Sequence, residues 1–163
     1  MQLKGSCHCG AVKFSVVTHT PQPYMRCYCS ICRKTAGGGG YAINIMGETS
    51  TLKVRGERNI AVYRARIKES GAAKATLSKG RRHFCGKCGS ALWVWDPRWS
   101  EWVYPFASAI DTPLPKPPED VEIMLDHAAP WADVPTGRGH AHFAEFPNES
   151  IADWHKKRGL ESA

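Results

Sequence analysis

Phe84-Cys85-Gly86-Lys87-Cys88-Gly89-Ser90-Ala91-Leu92-Trp93-Val94-Trp95 places two cysteines on a glycine-flanked turn and runs directly into an apolar, aromatic strand. A C-x-x-C needs a tight turn if both sulfurs are to converge at about 2.3 Å from one ion. Gly86 and Gly89 suit that turn because glycine accepts the φ > 0 conformation. Outward from Ser90–Trp95, the same β-branched and aromatic enrichment recurs in Ala11–Val17, Tyr41–Met46, Thr51–Val54, Ile60–Ala65, Trp102–Ala109 and Val121–Asp126. Glycine and proline punctuate these segments, and Pro113 through Pro118 reads as a stiff surface connection. Only Glu149–Arg158 reads as a helix, with Asn148 as its expected N-cap. Short strands with frequent turn signals argue an all-β domain.

The chain has 163 residues, 42% of them apolar and 23% charged, which fits one folded domain over 1–163 and excludes disorder by composition. No apolar run approaches the ~20 residues of a membrane span. Met1–Cys7 carries one basic residue and no apolar stretch, so no secretory leader is expected and the cytoplasm is the expected compartment. Thiols stay reduced there, and clustered cysteines point to metal binding or catalysis rather than a disulfide framework. The number of cysteines, seven, also suits full pairing badly.

The cysteines fall into three clusters: Cys7-x-Cys9, Cys27-x-Cys29-x-x-Cys32 and Cys85-x-x-Cys88. In an extended segment residues i and i+2 point to one face, so both thiolates of a C-x-C can reach one ion. If each cluster stays whole and no ion takes more than four protein ligands, the natural division is four plus three. Cys7, Cys9, Cys85 and Cys88 would close a tetrahedral zinc site, the usual structural arrangement. Cys27, Cys29 and Cys32 would hold a second zinc with one position open, as catalytic sites do. Two alternatives stay open at this point. The first cluster set could be buried thiols or a disulfide, and a histidine such as His8, His83 or His127 could close the second site.

Gly5-Ser6-Cys7-His8-Cys9-Gly10-Ala11-Val12, Cys27-Tyr28-Cys29-Ser30-Ile31-Cys32-Arg33-Lys34 and Phe84-Cys85-Gly86-Lys87-Cys88-Gly89-Ser90 together resemble the glutathione-dependent formaldehyde-activating enzyme family, whose domain is shared with centromere protein V. The resemblance runs from about Gly5 to Trp95, then rests on a strand near Val121–Asp126 followed by Pro130-Trp131. It implies a β-tent fold of antiparallel sheets with two zinc ions per chain. Cys7, Cys9, Cys85 and Cys88 match the structural site; Cys27, Cys29 and Cys32 match the catalytic one. It implies a carbon–sulfur lyase that joins a small thiol to an aldehyde, as in S-hydroxymethylglutathione, or runs that reaction backwards.

The remaining signals are weaker. Arg26, Arg33 and Lys34 could steer an anionic thiol, and Gly37–Gly40 could admit a substrate or form a loop. Trp93 with Trp95, and Trp102, Tyr104 with Phe106, read as sheet core rather than base-stacking platforms. The formal charge of +7 and the basic stretch from Arg55 to Arg82, interrupted by Glu57 and Glu69, give the alternative of a nucleic-acid-binding or scaffold module without catalysis. Two zinc ions bound by seven thiolates would lower that charge by about three, so nucleic acid is the lesser expectation and membrane is not expected. His140-x-His142 has metal-ligand spacing, but Phe143 and Phe146 beside it favour a surface or packed loop. Asp111, Asp126 and His127 receive no role.

Overall fold

A computed structural model describes residues 1–68 and 70–161. Glu69 of the basic stretch lies outside the described residues. In chain order the strands are β1 (Gln2–Ser6), β2 (Lys13–Val17), β3 (Tyr24–Cys27), β4 (Ala42–Asn44), β5 (Gly47–Glu48), β6 (Lys53–Arg55), β7 (Ile60–Tyr63), β8 (Arg66–Ile67), β9 (Thr76–Leu77), β10 (Arg81–Cys85), β11 (Ala91–Trp95), β12 (Trp102–Pro105), β13 (Asp120–Ile123) and β14 (His140–His142). Two short α-helices join them, α1 (Ser30–Ala36) and α2 (Ile151–Lys157). The described chain is thus mostly sheet, in keeping with the all-β expectation. Neither helix is long and apolar enough to cross a membrane.

Three sheets make the body. One has the order β1-β2-β6, a second β5-β12-β11-β10-β7, and a third β14-β13-β3-β4; β8 and β9 form a small separate ribbon. The first two are antiparallel throughout, and their apolar faces share a core of Leu3, Phe14, Val16, Ile45, Leu92, Trp93 and Val103. Period-two alternation produces this directly: Leu3 and Gly5 face inward from β1 while Gln2 and Lys4 face water. The third sheet corrects the expectation of purely antiparallel sheets. β13 runs parallel to both β3 and β14, and only β3 with β4 is antiparallel. Parallel pairing needs a long connection, which the many residues between β3 and β13 provide. Val121 and Ile123 pack with Cys27, Cys32, Ala42 and Phe106 in a second apolar cluster under α1.

Several boundaries differ from the sequence reading for local reasons. The segment expected as a strand to Asp126 stops at Ile123, because Met124 turns to φ 60° and Leu125–His127 coil into a 3-10 turn. The one expected to Ala109 stops at Pro105, followed by a 3-10 turn at Ala107–Ala109. The C-terminal helix begins at Ile151 with Ser150, not Asn148, as its cap, since the Ser150 hydroxyl accepts the Asp153 amide hydrogen. Helix α1 was unexpected. At seven residues it is too short to display a helical period, and its cap is the sulfur of Cys29 instead of an oxygen.

Candidate functional site

The structure brings all seven cysteines into the two sets that their spacing divides: Cys7, Cys9, Cys85 and Cys88 in one, Cys27, Cys29 and Cys32 in the other, with Sγ atoms in each set within 4.8 Å of one another. In the first set, Cys7 and Cys9 follow β1, and Cys85 and Cys88 occupy the turn between β10 and β11. Their loops are built alike. The Gly10 amide donates to the Cys7 carbonyl at 2.9 Å and the Gly89 amide to the Cys85 carbonyl at 2.8 Å, and both glycines adopt positive φ, 73° and 76°. An L side chain resists that conformation, which explains glycine at the end of each turn. Gly86, expected to do the same, does not; its amide donates instead to the Asn59 carbonyl at 2.8 Å.

Sulfur separations of 3.5 Å (Cys7–Cys9) and 3.8 Å (Cys9–Cys85) match the edge of about 3.8 Å that a tetrahedron with ~2.3 Å metal–sulfur bonds requires. The Val12 amide donates to Cys7 Sγ at 3.2 Å. Ser90 Oγ accepts the His8 amide at 3.1 Å and stands 3.2 Å from Cys88 Sγ, linking the two turns. That hydroxyl, with the Ser90 and Cys9 backbone, lowers the Cys88 pKa to about 5. All seven cysteines are free thiols, which removes the disulfide alternative for this set. The donor set fits a closed zinc site.

The second set sits where β3 runs into α1. Cys27 ends the strand, Cys29 caps the helix by accepting the Cys32 amide at 3.4 Å, and Cys32 faces inward from the first turn. Cys27 and Cys32 are buried and Cys29 is half-exposed. Hydrogen bonds from Cys27 and Cys32 hold the Cys29 pKa down to about 2, while the same bonds and burial push the Cys27 thiol far up. Three sulfurs this close repel one another when ionised, so holding all three as thiolates requires a cation among them. The trio therefore fits a thiolate-bound metal. Among the described residues no histidine or carboxylate joins it. His83 stacks on Trp93 with ring centroids 5.1 Å apart, and His127 pairs with Glu145 at 2.8 Å, so neither closes the site.

Sequence reasoning missed the main neighbour of the trio. Arg82, fifty residues away in the chain, directs both Nη1 and Nη2 at Cys32 Sγ, each at 3.6 Å. It lines a cleft of about 310 Å³ together with Thr35, Tyr63, His83, Phe84 and Phe106. Phe106 touches both cleft and trio through the second apolar cluster. No sequence signal marks Arg82 out from the other basic residues around it. Conversely, Arg26 is not available for steering: its Nη2 donates to Asp120 Oδ2 at 2.8 Å and its guanidinium covers the Tyr41 ring. Gly37–Gly40 forms a tight turn, closed by the Gly40 amide on the Gly37 carbonyl at 3.2 Å.

A family model described as "Glutathione-dependent formaldehyde-activating enzyme" matches residues 2–124, a span that contains every cysteine. The chain belongs to that family. A Halomonas elongata protein named "Putative glutathione-dependent formaldehyde-activating enzyme" is 55% identical over 161 residues, covering 99% of each chain. The crystal structure of a Rhodobacter sphaeroides protein superposes with a TM-score of 0.52 at 27% identity, covering 69% of this chain and 91% of that one. In this family member the expectation of aromatic core holds for Trp93 and Phe106, which are buried, with Trp93 packed edge-on against Phe14, whereas Trp95, Trp102 and Tyr104 are only half-buried. The basic stretch is dispersed, with Arg82 turned in to Cys32 and Arg81 laid over Trp95. His140 and His142 are not in a loop but on β14, which pairs with β13. Asp126 lies in the 3-10 turn after β13, and Asp111 is exposed and donates its amide hydrogen to the Lys4 carbonyl.

Proposed function

We propose that this chain is a zinc-dependent carbon–sulfur lyase that forms or cleaves a thiol–aldehyde adduct of the S-hydroxymethylglutathione kind. Two zinc ions per chain are part of this reading: a structural one on Cys7, Cys9, Cys85 and Cys88, and a catalytic one on Cys27, Cys29 and Cys32. The observation that carries it is a cysteine trio with no fourth protein donor among the described residues, beside a cleft large enough for a small substrate. Glutathione is the favoured thiol and formaldehyde the favoured aldehyde, because the relative so named matches this chain almost end to end. A β-tent arrangement of the sheets and a cytoplasmic location, where the seven thiols stay reduced, belong to the same reading.

In the forward direction a carbon–sulfur bond forms as the thiol sulfur attacks the carbonyl carbon. The carbonyl π pair moves to oxygen, which takes up the proton that the thiol gave up. Zinc held by Cys27, Cys29 and Cys32 would supply the Lewis acidity that favours the thiolate of a thiol whose free pKa is about 8.5. The protein supplies the rest. Arg82 orients Cys32 and balances the excess negative charge of three thiolates. Arg82 lines the cleft and makes it attractive to a carboxylate-bearing thiol. Phe84 and Phe106 line the cleft with apolar surface that limits competing water. No side-chain nucleophile is needed.

Zinc analysis of the pure protein tests the reading together with adduct exchange followed by NMR in glutathione and formaldehyde. Wild type is expected to hold two zinc ions and to accelerate exchange; Cys29→Ala is expected to keep one and lose the acceleration. Full activity of Cys29→Ala with a single zinc would overturn it.

A further inference from the structure

On the sheet face opposite the cysteine trio lies a second constellation. Cys27, Val121 and Ile123 pack together on one face of β3 and β13, so strand alternation turns Asp120 and Glu122 to the other. Parallel pairing with β14 aligns Asp120 with His140 and Glu122 with His142 on that same face. Ligand atoms of Asp120, Glu122 and His140 all lie within 4.8 Å of one another. His140 Nδ1 is 3.0 Å from Glu122 Oε1 and 3.9 Å from Asp120 Oδ2. These separations bracket the ~3.0–3.5 Å between neighbouring ligands around an ion with oxygen and nitrogen bonds of about 2.0–2.2 Å.

The carboxylates are under-compensated. Glu122 is fully buried, and no hydrogen bond among the described residues reaches its Oε2 or the Oδ1 of Asp120. His142 Nε2 stands 3.8 Å from Glu122 Oε2, but its hydrogen is given to the Pro135 carbonyl at 2.7 Å. Among the described residues Arg26 is the one fixed cation against the pair, held on Asp120 Oδ2 at 2.8 Å. Two buried carboxylates against one guanidinium leave a net negative charge in the sheet. His140 Nδ1 stands against Glu122 Oε1 alone, whereas a divalent ion among the three side chains would offset the charge of both carboxylates. The side chain of His140 is 22% exposed, so an ion can enter from the surface.

We propose that Asp120, Glu122 and His140 form a third cation site, for a divalent transition metal suited to oxygen and imidazole donors, such as Mn²⁺, Fe²⁺ or Zn²⁺. His140 then carries its hydrogen on Nε2 and offers Nδ1 to the ion, with Arg26 as the outer partner that orients Asp120. The site shares no donor with the cysteine sets and does not depend on their reading.

Its test exploits the donor chemistry, because Mn²⁺ disfavours thiolates. Zinc-loaded full-length protein is titrated with Mn²⁺ while the EPR signal of the free ion is followed, and in parallel with Co²⁺, read by its visible absorption. One saturable Mn²⁺ or Co²⁺ per chain is expected, the cobalt without a thiolate charge-transfer band. Binding should weaken at least tenfold in Glu122→Gln and in His140→Ala and stay unchanged in Cys29→Ala. Should Glu122→Gln not fold by circular dichroism, His140→Ala and Asp120→Asn carry the comparison. Absence of any saturable Mn²⁺, Co²⁺ or additional Zn²⁺ in the wild type would mean the cluster holds only a proton and would overturn the proposal. Undiminished binding in folded His140→Ala and Asp120→Asn would do the same.

Discussion

Arg82→Met separates the guanidinium from the side chain that carries it. Methionine keeps an unbranched stem in the cleft wall that Phe106 and His83 also line, while both N–H···S contacts to Cys32, at 3.6 Å, are lost. A zinc ion on three thiolates would leave one excess negative charge, and Arg82 is the cation set against Cys32. Unit charges about 4 Å apart attract by about 4 kcal/mol at an effective dielectric of about 20. Spreading the charge over three sulfurs and desolvating a half-buried guanidinium offset part of that. Two charge-assisted hydrogen bonds to an outer partner then imply a loss of about 1.5–3 kcal/mol. That magnitude is equivalent to about 10–100-fold weaker zinc binding at the trio, the range usual for outer-shell partners. Competition with a chromophoric chelator, which resolves a tight and a weaker ion, measures it directly. Affinity at the four-cysteine site should not change, since Arg82 makes no contact there. Unchanged affinity at the weaker site, or equal loss at both, would refute the reasoning. Arg82→Lys should recover only part of the loss, because an ammonium on a flexible stem does not reproduce the fork.

Two further outcomes follow from packing and burial. A Cβ at Gly5 would lie 2.4 Å from the Ala109 carbonyl oxygen and 2.4 Å from the Phe14 ring, so Gly5→Ala should destabilise the fold by about 2–3 kcal/mol, visible as a lower urea midpoint with an unchanged slope. His155 is fully buried, gives its Nε2 hydrogen to the Gln22 carbonyl, and has its pKa lowered by that burial from 6.5. Below pH 6.5 the unfolded chain takes up a proton that the folded chain refuses, so stability should be complete above that pH and fall beneath it by up to about 1.4 kcal/mol per pH unit. Urea midpoints of wild type and His155→Gln between pH 7.5 and about 5 check this: the variant's curve should be flatter, and parallel curves would remove His155 as the cause.

Much of the candidate site was legible because cysteine spacing is a local property. C-x-C and C-x-x-C bring two sulfurs together within one strand or turn whatever the rest of the chain does, and whole clusters divide in only one natural way. The central strands were legible for a similar reason, since Ala91–Trp95 and Lys13–Val17 carry their apolar pattern in themselves. Arg81–Cys85 was passed over because its charge hides a strand; the guanidinium of Arg82 is turned inward to a sulfur that nothing local announces. Helix α1 stayed hidden because a thiol caps it and seven residues, about two turns, are too few to show a period.

By itself, then, the sequence determined which sulfurs can act together, that the chain is built of short strands, and which family it resembles. Within each cluster, strand or motif those features depend on residues a few positions apart, where backbone geometry leaves few choices; that Cys7 and Cys9 join Cys85 and Cys88 followed from dividing whole clusters. Only the tertiary structure decided what surrounds the sulfurs. It set Arg82 against Cys32, the apolar cleft beside them, and Asp120 and Glu122 beside His140 through an unforeseen parallel pairing. Such neighbours are joined by long chain loops, whose closure is governed by the packing of the whole domain and leaves no periodic trace in the residues that meet.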